Sequence, residues 1–168
     1  MKQETLRLDL TTGAFAPPVL PEGHTFSSLT SHSAQELGRL YFECFERSDV
    51  PTIEYANSEM EKTLRGDYGA FCPAYSCAVV CGERLRGAVF VVKDAPWEGV
   101  SPGLFVSDFM VAPEHRGKGI GRFLLVWAIQ AARRDGHTSM ALRVDPANRA
   151  ALSLYRKLGF RDAAASRL

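Results

Sequence analysis

The run Val111-Ala112-Pro113-Glu114-His115-Arg116-Gly117-Lys118-Gly119-Ile120-Gly121-Arg122 constrains this chain more than any other segment. Leu104 to Val111 reads as a strand that Pro113 ends. A long helix follows, with Ile120, Phe123, Leu124, Trp127 and Ala131 at helical spacing and Gly136 as its terminator. Three glycines on alternate positions thus fall where a strand hands over to a helix. Missing side chains let a ligand approach the backbone, and the unpaired N–H groups of the first helical turn point outward. The helix dipole adds partial positive charge, which Arg116, Lys118 and Arg122 strengthen, so the turn reads as an anion site with phosphate as the expected guest. The plainer alternative is a glycine-rich turn that only fits a tight connection; the three cations argue for the anion.

Two common phosphate motifs do not fit. A mononucleotide P-loop needs a glycine five positions before its Gly-Lys and a Ser or Thr after the lysine, where this chain has Ala112 and Gly119. A dinucleotide fingerprint needs a third glycine where Arg122 stands, on an early βαβ unit rather than after several strands.

The remaining pattern is that of one α/β domain without repeats. Leu6-Arg7-Leu8-Asp9-Leu10 alternates like a short strand, and Pro17, Pro18 and Pro21 then interrupt regular structure, so residues 1–23 read as a peripheral arm or extra strand. Thr25 to Thr30 reads as a strand, Ser33 caps a helix through Phe45, and a second helix is expected over Asn57 to Arg65. Tyr75 to Val80 and Leu85 to Val92 form a hairpin about Gly82-Glu83. Ser139 to Val144 is a strand with Met140, Leu142 and Val144 on one face, and Asn148 to Leu158 is a short helix closed by Gly159.

Composition removes several classes. At 168 residues, 46% hydrophobic and 23% charged, the chain has the size and balance of one folded domain. A net charge of +1 and the lack of a basic stripe with interleaved aromatics argue against nucleic acid as a partner. No apolar run approaches the ~20 residues of a membrane helix, and the N-terminus has no secretory apolar core, so no membrane association and a cytoplasmic location are expected. Cys44, Cys72, Cys77 and Cys81 are then free thiols rather than a disulfide scaffold. Cys77 and Cys81 lie roughly 13 Å apart along a strand, too far to share a zinc ion. His24, His32, His115 and His137 form no i, i+4 pair and no sequence cluster with the cysteines, so no metal site is expected.

Arg116-Gly117-Lys118-Gly119-Ile120-Gly121 resembles the Arg/Gln-x-x-Gly-x-Gly/Ala signature of the GNAT N-acetyltransferase superfamily. Asn148 to Phe160 is similar to that family's second block, an Asn followed by Tyr155 and then Gly159-Phe160. The resemblance covers residues 24–160 in element order and makes 24–168 a single GNAT domain. It implies the GNAT acyl-CoA N-acyltransferase fold: a mixed, mostly antiparallel central sheet, splayed at the cofactor site and flanked by helices. It further implies acetyl-CoA as cosubstrate. Arg116, Gly117, Lys118, Gly119, Ile120 and Gly121 would bind its pyrophosphate, the backbone of Phe109, Met110 and Val111 would pair with its pantetheine arm, and Asn148 would contact the pantetheine region. Tyr155 would be the general acid that protonates departing thiolate. For Asn148 and Tyr155 the residues alone also allow a helix cap and a core aromatic.

The expected reaction is acetyl transfer to a primary amine, in the first instance of a small molecule, by direct attack. Protein N-terminal or lysine acetylation and a non-catalytic acetyl-CoA-binding regulatory module are the rivals. An alkylamine with a pKa near ~10.4 is only about one part in a thousand neutral at pH 7.4, so its proton must be removed or relayed. Asp108 is the candidate base or amine anchor. Ser107 and Asp108 face opposite ways on a regular strand, and a bulge would change which enters the site. Pro96-Trp97-Glu98-Gly99 followed by Ser107-Asp108 resembles the diamine and polyamine acetyltransferase branch, with Ser107 replacing that branch's Glu. Trp97 and Glu98 would wall a cationic pocket. Glu54, Glu59, Glu61 and Asp67 supply further acidity, either to the acceptor side or to a solvated face. Only eight residues follow Phe160, so the sheet edge is either shortened or covered by a second copy; a homodimer is the expectation.

Overall fold

The computed structural model describes residues 3–164; the first two residues of the N-terminal segment and the last four of the C-terminal tail lie outside them. The strands are β1 (Glu4–Asp9), β2 (His24–Ser28), β3 (Ala70–Phe71), β4 (Cys77–Cys81), β5 (Arg84–Lys93), β6 (Leu104–Val111), β7 (Ser139–Val144) and β8 (Arg161–Asp162). The helices are α1 (Ala34–Cys44), α2 (Ile53–Arg65), α3 (Ile120–Arg134) and α4 (Arg149–Leu158). The strands form one sheet in the order β2-β4-β5-β6-β7-β1-β8, with β3 also on β5. Every pairing is antiparallel except β6 with β7.

Strand β5 shows why helices cover both faces. Its period-two alternation sends Val89 and Val91 into the core under α3, and Ala88 and Phe90 into the core under α1 and α2. Ser33 begins α1 with a reciprocal cap: its hydroxyl accepts from Glu36 N–H at 3.1 Å, and its own N–H donates to the Glu36 carboxylate at 2.8 Å. Helix α2 starts at Ile53, four residues before the expected start, because the Thr52 hydroxyl accepts from Tyr55 N–H and caps it there. Tyr75 does not begin β4. It belongs to a 3₁₀ turn, Pro73–Tyr75, and its hydroxyl reaches Asp135 at 2.7 Å and His137 at 2.9 Å beyond the end of α3.

Of the two readings of the N-terminal segment, the extra strand is the one formed by residues 4–9. Strand β1 lies between β7 and β8, pairing Glu4 with Val144 through Asp9 with Ser139, and Leu6, Leu8 and Leu10 are buried. The alternation drives this placement, since burying three leucines on one face outweighs leaving the segment in solvent. The edge of β7 is therefore covered from within the chain, with β8 only two residues long beyond it.

Two irregularities shape the site. Strands β6 and β7 pair only over Leu104–Met140, Phe105–Ala141 and Val106–Leu142, then separate, so that among the described residues Ser107 to Val111 pair with no strand on that side. On the other side, Phe90 opposes Asp108 while Val91 opposes Val106, which makes Ser107 the extra residue of a bulge.

Candidate functional site

The gap beside the free stretch of β6 is a cavity of about 590 Å³. Its floor and walls include Phe109, Met110 and Val111 from β6, Arg116, Gly117, Gly119, Ile120 and Gly121 from the following turn, and Asn148 and Tyr155 from α4. Of the residues expected around the cosubstrate, Lys118 alone is outside this lining; it is exposed on the turn.

The three glycines serve two purposes. Gly117 and Gly119 have φ of +76° and +86°, a region costly for other residues, and a Cβ on either would meet nothing within 4 Å. Gly119 is the N-cap of α3 and offers no side-chain cap, so the first-turn N–H groups are left for a ligand. Gly121 is ordinary in backbone but tightly packed, its missing Cβ lying 3.0 Å from Phe109 Cζ. Arg116 is committed to the protein: its guanidinium donates to the carbonyls of Val111 at 2.9 Å and Cys44 at 3.2 Å. It braces the turn against the end of α1 rather than leaving its full fork for an anion. The residues present therefore fit a pyrophosphate held chiefly by main-chain amides.

Asn148 has both roles the sequence allowed it. Its Oδ1 accepts from Ala151 N–H at 3.2 Å as the cap of α4, and the residue lines the cavity. Tyr155 is 6% exposed, with its ring 6.0 Å from Phe109 and 5.9 Å from Phe160. Burial raises its hydroxyl pKa, so the phenol carries its proton at neutral pH. That is the state a proton donor needs.

A second cavity of about 280 Å³ lies along the same strand, lined by Tyr41, Glu59, Thr63, Tyr68, Trp97, Ser107 and Asp108. The bulge brings Ser107 and Asp108 to the same cavity, which a regular strand forbids. Asp108 has its pKa pushed up to about 6, first by burial and then by the Glu59 charge, against hydrogen bonding from Ser107 and Thr63. Glu59 accepts from Tyr68 Oη at 2.8 Å and pairs with Lys62 at 2.9 Å. Trp97 stacks on Tyr68, with ring centroids 5.8 Å apart, and also packs on Phe105. Burial and Glu59 raise the Tyr68 pKa to about 12.

Glu98 is not part of this wall. It is exposed, lines neither cavity, and its carbonyl accepts from Arg143. Of the four acidic residues on and after α2, Glu59 alone faces the cavity, while Asp67 pairs with Arg65. Tyr41, Thr63 and Tyr68 are site residues that sequence reasoning missed. The available signal was the Glu59–Thr63 pair, four apart on α2 and so on one face. Phe45, Glu46 and Asp49 at the mouth of the larger cavity carry no local signal, since only tertiary packing brings that loop to the turn.

The expectation that histidines and cysteines stay apart is corrected. His24 and Cys81 are directly opposed in the β2–β4 register, and His115 reaches them, so one ligand atom from each lies within 4.8 Å of the others. Residues far apart in sequence meet through strand pairing, which local spacing does not show.

The acetyltransferase (GNAT) family model matches residues 34–160, more than half of the chain. The chain belongs to the GNAT acetyltransferase family. Among curated relatives, a streptothricin acetyltransferase of Streptomyces lavendulae is 46% identical over 57 residues, which are 34% of this chain and 30% of that protein. A thialysine N-epsilon-acetyltransferase of Bos taurus is 30% identical over 112 residues, 61% of this chain and 65% of that protein. The chain thus spans less than two thirds of the length of either relative. A solved GCN5-related N-acetyltransferase from Sphaerobacter thermophilus shares the fold, with a TM-score of 0.69 at 19% identity over 95% of this chain and 48% of that one. The GNAT fold expected from the two sequence blocks, with its mixed sheet opened between β6 and β7, is the fold observed.

Proposed function

We propose that this GNAT protein transfers acetyl from acetyl-CoA to the primary amine of a small cationic molecule by direct attack. The observation that carries the reading is the adjacency of the two cavities on β6. A groove with open helix-terminal amides includes Phe109, and a pocket with two carboxylates and three aromatic rings includes the neighbouring Asp108. The first suits a phosphorylated thioester and the second suits an ammonium group. At about 280 Å³ the acceptor cavity lies just below the usual range of ~300–1,000 Å³ for small-molecule sites, which favours a compact acceptor. Relatives named for streptothricin and for the epsilon nitrogen of thialysine support an amine.

In this reading the amine enters as an ammonium ion held by Glu59 and the aromatic walls. Asp108, ionised above about pH 6, takes its proton through a water molecule. The freed nitrogen lone pair attacks the thioester carbonyl carbon, a main-chain N–H of Met110 or Val111 stabilising charge on the oxygen. As the C–N bond is completed the C–S bond breaks, Tyr155 gives its proton to the departing sulfur, and the surplus proton on the acylated nitrogen passes through water to the Tyr155 phenolate, leaving a neutral amide and free thiol. Action in the cytoplasm belongs to the same reading; among the described residues no helix is long and apolar enough to cross a membrane.

A thiol-release assay with acetyl-CoA over diamines, amino acids, aminoglycosides and peptides tests it. Release with a small amine is expected. Release only with peptides would move the assignment to a protein acetyltransferase, and acetyl-CoA binding without release on any acceptor would move it to a regulatory module.

A further inference from the structure

We infer that His24, Cys81 and His115 form a zinc site that staples the β2–β4 sheet edge to the turn entering α3. His24 and Cys81 are cross-strand partners, and His115 ends the 3₁₀ turn Pro113–His115 immediately before Arg116. The three ligand atoms lie within 4.8 Å of one another, and all three residues are partly buried. Zinc takes imidazole nitrogen at ~2.0–2.1 Å and thiolate sulfur at ~2.3 Å, so ligand atoms on one tetrahedral ion lie roughly 3.3–3.6 Å apart. To hold one ion the His24 and His115 nitrogens, 2.7 Å apart, would separate by about half an ångström.

The ring chemistry points the same way. His24 Nδ1 lies 3.1 Å from the Glu22 carbonyl oxygen, which can only accept, so Nδ1 carries the proton and Nε2 presents its lone pair. A second-ring-nitrogen bond to a backbone carbonyl is the usual support of a metal-binding histidine. That lone pair faces His115 Nδ1 at 2.7 Å, and a single proton shared by the two rings occupies the place of an ion. On zinc binding the Cys81 thiol proton leaves to solvent and the His115 Nδ1 proton moves to Nε2. Two imidazoles and one thiolate then hold the ion, with water in the fourth position. Two cations act on His115, Arg86 and Lys118, against the Glu114 carboxylate; Arg86 is itself paired with Glu43 at 3.5 Å. This inference does not depend on acetyl transfer.

Cobalt(II) titration of the full chain, first stripped with chelator, tests it by absorption. Expected are one equivalent bound, a thiolate-to-cobalt charge-transfer band, the visible bands of tetrahedral coordination, and displacement by one equivalent of zinc. Cys81→Ser should abolish the charge-transfer band. His24→Gln, at the sheet edge, should weaken zinc at least about tenfold, the smallest loss known for even an outer-shell partner. In the wild type zinc should raise the melting temperature, with a smaller rise in either variant at the same zinc concentration. Absence of the charge-transfer band in the wild-type protein would overturn the site whatever the variants do. So would a band that survives Cys81→Ser, or zinc affinity unchanged by His24→Gln.

Discussion

Tyr68 donates its hydroxyl to the Glu59 carboxylate at 2.8 Å while its ring stacks on Trp97. This links the charge of the acceptor cavity to its aromatic wall. A carboxylate so oriented holds an ammonium ion by a charge-assisted bond, typically ~1.5–3 kcal/mol net. Glu59→Gln should therefore raise the amine KM about tenfold or more and leave acetyl-CoA affinity unchanged by calorimetry. A change in acetyl-CoA affinity alone would place Glu59 elsewhere in the cycle.

Asp108 should set the acidic limb of the pH profile. Its pKa of about 6 in the free protein means that protonation removes the base, so kcat/KM should fall roughly tenfold per unit below pH 6 and level off above it. In Asp108→Asn this limb should disappear along with most turnover.

The same residue should cost stability. Its folded pKa is raised from 3.8, so below that value both states are protonated and the native state carries no penalty. As pH rises through about 6 the native carboxylate ionises in a poor environment and stability is lost. The rise from 3.8 to about 6 corresponds to roughly 3 kcal/mol at most. Asp108→Asn should thus melt higher than wild type at pH 7.5 and equal to it near pH 3.5.

Tyr155→Phe should lower turnover by about 10- to 100-fold, the loss of a general acid, with acetyl-CoA affinity little changed. Unchanged turnover would remove Tyr155 from the reaction and leave it as a core aromatic between Phe109 and Phe160.

Gly121→Ala and Gly119→Ala should fail differently. The first places a methyl 3.0 Å from Phe109 Cζ and shifts that ring into the cosubstrate groove, weakening acetyl-CoA binding by about tenfold. The second strains a backbone at φ +86° and should cost about 1–2 kcal/mol in denaturant melts.

What the sequence disclosed and what it withheld divide along the range of the interactions. The strand from Leu104 to Val111 and the one from Ser139 to Val144 were legible to the residue, because each is a buried run bounded by Pro, Gly or Asp. Asn148 was legible as a cap because capping is local chemistry. Strand pairing was not. Leu6 and Leu8 announce a strand, but nothing near them says that β7 is their partner. The acceptor cavity was half visible: Trp97 and Asp108 lie in recognisable segments, whereas Tyr41 and Tyr68 reach it only after α1 and α2 pack on β6. Glu98 misled because its neighbour Trp97 does enter the cavity, and adjacent loop residues need not face the same way.

The interior position of β1 has a kinetic side. Glu4 meets Val144, and Leu6 also meets Asp162, so β1 leaves a ribosome well before the strands that complete its hydrogen bonds. Closing so long a loop is slow, and until it closes three leucines and an unpaired strand are open to chaperones or to other nascent chains.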